Sequence, residues 1–256
     1  MTLSIKQIEE QLLQRNKVDE ALLAMLDNDE RKGVQTLLKR YHSREKKRMM
    51  LENMHQEMTQ YENQLRLDGF TQIAGLDEVG RGPLAGPVVV AAVILPETFK
   101  LLGLTDSKKL SKIKRQEFSD IIKRESVTYT IQMIHAEEID RINIYQATKQ
   151  AMMKAVEEID RKPDHLLIDA MSLELPIPQT SLIKGDQRSI TIAASSVLAK
   201  VARDDYMGKL DQTFPGYGFS SHAGYGTKEH LEAIERLGLT PEHRRSFRPI
   251  KEIDQI

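Results

Sequence analysis

The chain has 256 residues, with 37 lysines and arginines against 38 aspartates and glutamates, a length that suits one domain of about 150 to 200 residues plus an appendage, or two small domains. It contains no cysteine and no tryptophan; this excludes disulfides and thiolate metal sites, leaves carboxylates and histidines as strong metal ligands, and the balanced charge requires any surface for a polyanion to be local. No charged-then-apolar leader and no apolar run of about 18 residues occurs, so the expectation is a soluble, cytoplasmic protein without membrane contact.

Residues 1–69 hold one glycine, Gly33, and no proline. Apolar residues recur at helical spacing in Ile5, Ile8 and Leu12, and again in Leu22, Leu23 and Leu26, which predicts an all-helical N-terminal extension. Its last helix is expected over residues 29–66, broken near Gly33, with Leu37, Leu38, Tyr41, Met49, Met50, Met54, Met58 and Tyr61 as a packing stripe. Lys39, Arg40, Arg44, Lys46, Lys47 and Arg48 form a basic cluster that reads either as a solvated helix face or as a phosphate-backbone contact. Residues 67–70 read as a linker.

From Thr71 onward the pattern changes to strand and helix. Strands are predicted over residues 72–77, 88–95 and 127–134, forming a meander, with a helix over 112–123 that Ser111 would cap. Helices over 137–141 and 144–159 precede a short buried strand, 165–169, and a last strand near 181–183. Gly185-Asp186 turns the chain into a long helix from 189 or 190 to about 210, whose Ser/Ala-rich start allows close packing. A loop, a helix over 228–237 and a basic tail over 243–248 complete the chain.

The central stretch is Ile73-Ala74-Gly75-Leu76-Asp77-Glu78-Val79-Gly80-Arg81-Gly82-Pro83-Leu84-Ala85-Gly86-Pro87. Two adjacent carboxylates close an apolar strand, and the backbone then turns on Gly80 and Gly82 around Arg81. Such a pair reads either as a solvated turn or as a ligand pair for a divalent cation, which compensates charge that is costly to bury alone. Bare glycine N–H groups and a guanidinium suit phosphate oxygens, so a phosphodiester beside a metal is the functional reading. Asp169 ends a second buried strand, and neighbouring strands would bring it within about 5 Å of Asp77. Consecutive strand residues face opposite sides, so Glu78 joins Asp77 only if the extended conformation ends there or if Glu78 offers its carbonyl. Asp186 is either a fourth member or a dipole-stabilising aspartate before a helix. Asp160, Asp164, Asp204 and Asp205 are set aside as solvated, and no histidine pair has zinc-like spacing. An all-oxygen site favours magnesium or manganese.

That stretch resembles the first signature of the type 2 ribonucleases H, and of ribonuclease HII in particular. The resemblance extends over residues 73–247 through Asp106-Ser107-Lys108-Lys109-Leu110, Ile168-Asp169-Ala170, Lys184-Gly185-Asp186, residues 193–204, Gly216-Tyr217-Gly218 and Gly224-Tyr225-Gly226-Thr227. It implies an α/β fold, a ribonuclease H-like mixed five-stranded sheet flanked by helices, in a catalytic domain over residues 70–256 that ends in a helical substrate-binding segment. The implied enzyme is an endonuclease that hydrolyses the RNA strand of RNA–DNA hybrids and cuts duplex DNA at single embedded ribonucleotides, giving a 3′-hydroxyl and a 5′-phosphate. Its active-site carboxylates fall on Asp77, Glu78, Asp169 and Asp186. Asp77, Glu78 and Asp169 would hold one or two Mn2+ or Mg2+ ions, and Asp186 would hold the second ion or orient the water.

Gly80, Arg81 and Gly82 would read the ribose 2′-hydroxyl. Tyr225 is either a core tyrosine or a residue that meets that hydroxyl and the neighbouring deoxyribose. Lys108, Lys109, Lys184, Ser195 and Lys200 are assigned as phosphate contacts. A monomer is expected, with a protein partner for the N-terminal helices as one option. A hybrid-only nuclease of the ribonuclease HIII type and a catalytically silent nucleic-acid-binding module are the competing readings.

Overall fold

The computed structural model describes residues 3–14 and 18–253, and its contacts divide the chain between Met54 and His55. In the first unit, α1 (Ile5–Glu9) is opened by Ser4, whose hydroxyl accepts from the Gln7 N–H while the Gln7 side chain accepts from Ser4 N–H at 2.9 Å. A π-helical turn, Glu10–Gln14, follows, then α2 (Glu20–Asp27), capped by Asp19. The start of α3 (Lys32–Met58) packs Val34, Leu37, Leu38 and Tyr41 against Ile8, Leu12 and Leu26. Burial of these residues at i, i+3, i+4 and i+7 is the helical period expressed as one apolar face.

Three expectations for this region change. Gly33 lies in the first turn of α3 and breaks nothing; the interruption falls at Thr59, before α4 (Gln60–Leu67). Met49 and Met50 are exposed, at 60 % and 69 %, so the methionine stripe is not continuous packing; only Met58 of that set is fully enclosed. Part of the basic cluster is used inside the unit. Arg44 donates to the Leu12 carbonyl at 2.7 Å and also to that of Leu13, satisfying carbonyls left open where the first helices end.

In the second unit, α4 and Phe70 belong to the packing instead of linking two parts. Phe70 meets the His165 ring edge-on, with centroids 4.7 Å apart, and lies with Tyr61 and Leu65 beside Ile73, Leu167 and Ile192. Strands β1 (Ile73–Val79), β2 (Val88–Ile94) and β3 (Thr128–Ile134) form the predicted antiparallel meander, and β4 (His165–Asp169) and β5 (Gln179–Leu182) add to β1 in parallel, giving the order β3-β2-β1-β4-β5. Between β2 and β3 runs α5 (Lys112–Glu125), capped by Ser111 as expected; α6 (Ala136–Ile142) and α7 (Ile144–Glu158) link β3 to β4.

Helix α8 (Ile190–Thr213) covers one face of the sheet and α7 the other. This is why β2 is apolar at every position: both its faces are covered. Ala74, Leu76, Leu166 and Ile168 meet Ala151, Met152, Ala155 and Val156 of α7. Ile73, Gly75, Asp77, Leu167 and Asp169 alternate with them and fall on the α8 side. Gly75 permits unusually close approach, since a Cβ there would lie 2.2 Å from the Thr191 backbone carbon. The Ser/Ala-rich start of α8 is the matching half of that contact.

The chain then forms α9 (Phe219–His222), α10 (Lys228–Leu237) and α11 (Ile250–Ile253), which enclose Leu84, Ala85, Met207, Tyr217 and Phe219. Residues 243–248 are not a basic tail. His243 is 2 % exposed and Arg244 is wholly buried.

Candidate active site

The parallel register that sets Leu76 beside Ile168 brings Asp77 and Asp169 side by side at the carboxyl ends of β1 and β4. Both point to the α8 face. Asp77 is 5 % exposed and accepts from the Glu78 N–H at 2.8 Å. Burial pushes its carboxyl well above the usual carboxylate range; the Glu78 charge adds to this, the Ser196 hydroxyl offsets part of it, and Asp169 adds again.

Strand β1 continues through Val79, so the extended conformation does not end at Asp77, which was one of the two routes the sequence pattern left for a joint role of Glu78. Glu78 starts from the opposite face but lies at the strand mouth, near enough to Asp169 to feel its charge. Its carboxyl is raised by burial and then held back by Arg81, whose Nη1 donates to Oε1 at 3.2 Å. Oε2 of Glu78 is buried without a hydrogen-bond partner.

Asp169 accepts from the Gly185 N–H at 2.7 Å, which ties the end of β4 to the 3-10 turn Gly185–Gln187 that carries Asp186. Gly185 can approach because it has no Cβ; one placed there would fall 2.6 Å from Ile192 Cδ1. Asp186 is 9 % exposed, and its carboxyl is pushed up to about 6 by burial, then by Asp106 and Asp169. Asp77, Glu78, Asp169 and Asp186 thus share one electrostatic locality despite their separation in the chain. Asp106 is a further buried acid of that locality, to which the sequence pattern alone assigned no role. It caps Lys108 N–H at 2.9 Å and accepts from Gln187 Nε2 at 3.4 Å; an acid inside Asp106-Ser107-Lys108-Lys109 was the available signal.

Among the described residues, no three histidine, aspartate or glutamate side chains are already gathered as a cage for an ion. The donor set still fits a hard divalent cation: carboxylates that repel one another, no sulfur or histidine, and a buried Glu78 oxygen lacking any partner.

The glycine-arginine-glycine turn is held from behind by two buried arginines to which the sequence pattern assigned no role. Arg244 donates to the carbonyls of Gly80 (2.6 Å), Arg81 (3.0 Å) and Gly86 (2.7 Å). Arg203 donates to Pro87 (3.0 Å), Ala85 (3.1 Å) and Ala223 (3.0 Å). Burial, with Arg203 beside it, lowers the Arg244 guanidinium to about 9, and burial lowers Arg203 as well. Gly80 takes φ +91° and has no room for a Cβ, which would lie 2.3 Å from Arg203 Nε. Nothing local marks a buried arginine; its partners are main-chain carbonyls far away in the chain.

The remaining assigned residues divide. Tyr225 is 47 % exposed, so it is no core tyrosine; a Cβ at Gly82 would lie 3.7 Å from its ring. Lys108, Lys109 and Lys184 are exposed, and Lys108 is close enough to Asp186 to lower its pKa in part. Ser195 is a correction: it is fully buried and donates to the Gly75 carbonyl at 2.7 Å, so it locks α8 to β1 and is out of reach of a phosphate. Lys200 is also committed, to Asp204 at 2.6 Å with 18 % exposure. Asp204, set aside as solvated, also holds Arg115 at 3.4 Å. Asp164 is likewise structural, accepting from the N–H groups of Thr71 at 2.8 Å and Gln72 at 2.9 Å just before β1.

The family described as Ribonuclease HII matches residues 74–250, and that described as Ribonuclease HII N-terminal domain matches residues 4–66. A Ribonuclease HII of Shouchella clausii is 57 % identical over 243 residues, which is 95 % of this chain and 92 % of that protein. Among solved structures, the ribonuclease H2 of Pyrococcus horikoshii superposes with a TM-score of 0.64 at 23 % identity, covering 72 % of this chain and 97 % of the other. Bst-RNase HIII in complex with Mn2+ gives 0.55 at 19 % identity, covering 72 % and 70 %. Both share the fold.

Proposed function

The chain belongs to the ribonuclease HII family, hydrolases that degrade the RNA of RNA–DNA hybrids, and we propose that it also incises duplex DNA at single embedded ribonucleotides, leaving a 3′-hydroxyl and a 5′-phosphate. The observation that carries this is the convergence of four acids on the carboxyl ends of β1 and β4 and the turn after β5, with Asp77, Glu78 and Asp186 all biased toward the protonated state by burial and mutual repulsion. Such a cluster suits positive charge.

Asp77, Glu78 and Asp169 would hold one or two divalent ions, manganese or magnesium; the Mn2+ of the ribonuclease HIII structure supports that choice. When bound, such ions make water a nucleophile near neutral pH and stabilise the leaving 3′-oxygen. Asp186, on the turn that Gly185 ties to Asp169, lies beside those ligands, which fits orientation of the attacking water. The main-chain groups of Gly80, Arg81 and Gly82 present donors and acceptors to the 2′-hydroxyl, and Arg244 removes the need for that turn to organise on binding. The Arg81 guanidinium, 43 % exposed, would exchange Glu78 for a phosphate oxygen. Tyr225, beside Gly82, packs on the sugar that follows, so that an RNA-to-DNA junction is preferred. Lys108, Lys109 and Lys184 supply exposed charge for the backbone phosphates. The reading has the enzyme acting as a cytoplasmic monomer; among the described residues no helix is long and apolar enough to cross a membrane.

The test is incubation of the purified protein with a labelled duplex bearing one ribonucleotide, with manganese, with magnesium and with neither. Cleavage at the ribonucleotide only when metal is present is expected. Cleavage of continuous hybrid with an intact single-ribonucleotide duplex would overturn the junction reading.

A further inference from the structure

We infer that His230 and His243 are positioning residues that fix the Tyr225 loop against the glycine-arginine-glycine turn, and thereby set the preference for an RNA-to-DNA junction; the inference rests on the role of Tyr225 proposed above.

The histidines stand directly behind that loop. His230 is fully buried and His243 is 2 % exposed. His230 Nδ1 lies 2.9 Å from the Tyr225 carbonyl, and His230 Nε2 lies 3.1 Å from His243 Nε2. His243 Nδ1 lies 2.9 Å from the Thr240 N–H. These contacts have one consistent proton arrangement. A carbonyl only accepts, so His230 Nδ1 carries the hydrogen, and the Nε2 of that neutral ring must accept. His243 Nε2 is therefore the donor between the rings, and its Nδ1 accepts from Thr240. Burial lowers the basicity of both rings, which keeps them neutral and the chain of donors intact.

The same loop is also held at Gly224. His222 Nδ1 accepts from the Gly224 N–H at 3.2 Å, and His222 stacks on His230 with centroids 4.5 Å apart. The Gly224 carbonyl accepts from Leu84 N–H at 2.8 Å. His243 pairs with Ala85 as an isolated bridge, and the next residue, Arg244, grips Gly80, Arg81 and Gly86. The dipeptide His243-Arg244 therefore joins the support of Tyr225 to the support of the turn that Tyr225 faces.

The readout is the ratio of cleavage at a single embedded ribonucleotide to cleavage of continuous hybrid, measured on full-length protein. His230→Leu removes the donor to Tyr225, and the ratio is expected to fall about tenfold, the effect of roughly one lost hydrogen bond at the site. His230→Asn places an amide N–H where Nδ1 stood and is expected to keep the ratio within about twofold of the parent. Adding His230→Leu to Tyr225→Ala should lower the ratio no further than Tyr225→Ala alone. If His230→Leu does not fold, His230→Ser, too short to reach the carbonyl, takes its place. In the 15N spectrum His230 should carry its proton on Nδ1 and His243 on Nε2; the opposite tautomers would overturn the inference. A folded His230→Leu or His230→Ser protein with the parent ratio would also overturn it. Should Tyr225→Ala itself leave the ratio unchanged, the junction reading fails first, and the two failures are thereby told apart.

Discussion

Replacement of Glu62 by alanine tests how far the end of the N-terminal helical segment supports the carboxylates proposed to be catalytic. Glu62 is wholly buried, and its Oε1 accepts from Ser189 Oγ at 2.6 Å, Thr191 Oγ1 at 2.7 Å and Thr191 N–H at 3.1 Å, at the start of α8. Alanine removes the acceptor and strands three donors, each worth about 1–3 kcal/mol when buried without a partner. The Ser189 and Thr191 hydroxyls, 3.1 Å apart, can still serve each other. Removing a carboxylate whose Oε2 has no partner also returns some desolvation energy. The net loss is about 2–5 kcal/mol, or a fall in melting temperature of roughly 5–15 °C for a unit of this size. Glu62→Gln keeps the acceptor without its charge and should lose about 1 kcal/mol. Activity should fall with stability in Glu62→Ala, because Ser189 N–H donates to Gly185 O at 2.8 Å and Gly185 N–H holds Asp169. Thermal unfolding followed by circular dichroism reads the first effect, and kcat on continuous hybrid the second. A Glu62→Ala protein that melts within a degree or so of the parent and cleaves normally would refute this coupling.

Asp77→Asn and Asp169→Asn should abolish cleavage with the far-ultraviolet dichroism unchanged, and retained cleavage in either would remove the carboxylate mechanism. Asp77→Asn should also stabilise the metal-free fold at neutral pH: burial and Glu78 raise the folded-state pKa of Asp77, so folding is penalised from the unfolded value of 3.8 upward, and the gain from Asn shrinks as pH falls below the folded value and vanishes at the unfolded one. No gain at pH 7 would contradict this sign. Asp164 behaves oppositely. Burial raises its pKa, but the N–H groups of Thr71 and Gln72 outweigh that and depress it below its ordinary 3.8. Its stabilisation is present above the unfolded value and lost as pH falls through the folded one; the unfolding free energies of Asp164→Asn and parent, from urea titration, should differ at pH 7 by less than about 1 kcal/mol, because the group is partly solvated, and converge in acid. Tyr225→Ala should harm cleavage at single ribonucleotides more than cleavage of continuous hybrid, and equal loss on both would count against a junction contact.

Much of the fold was legible because its signals are local. Strand β4 and helix α10 fall on the residues their periodicity marked, and Ser111 caps α5 because an N-cap needs only its own next turn. Ends set by packing moved: β1 runs on through Val79, β5 begins at Gln179, and the helix break lies at Thr59 instead of Gly33. Asp77 and Asp169 were likewise candidates from the residues alone, since a carboxylate at the end of an apolar strand is conspicuous in one dimension, whereas the residues left Glu78 and Asp186 open and only the family resemblance named them.

What the amino-acid order alone determined, then, is which stretches become strands and helices and which charged groups stand at their ends, because backbone period and side-chain chemistry are properties of neighbours in the chain. Only the tertiary structure decided which charges face one another and which disappear inside. Ser195 and Lys200 looked like ligands for phosphate and are bound internally, while Asp106, Arg203 and Arg244 looked ordinary and are buried around the site. Their roles depend on carboxylates and carbonyls brought up from distant positions by strand register and helix packing, and burial, which sets both the pKa of an acid and the partner of an arginine, has no counterpart in a residue's immediate neighbours.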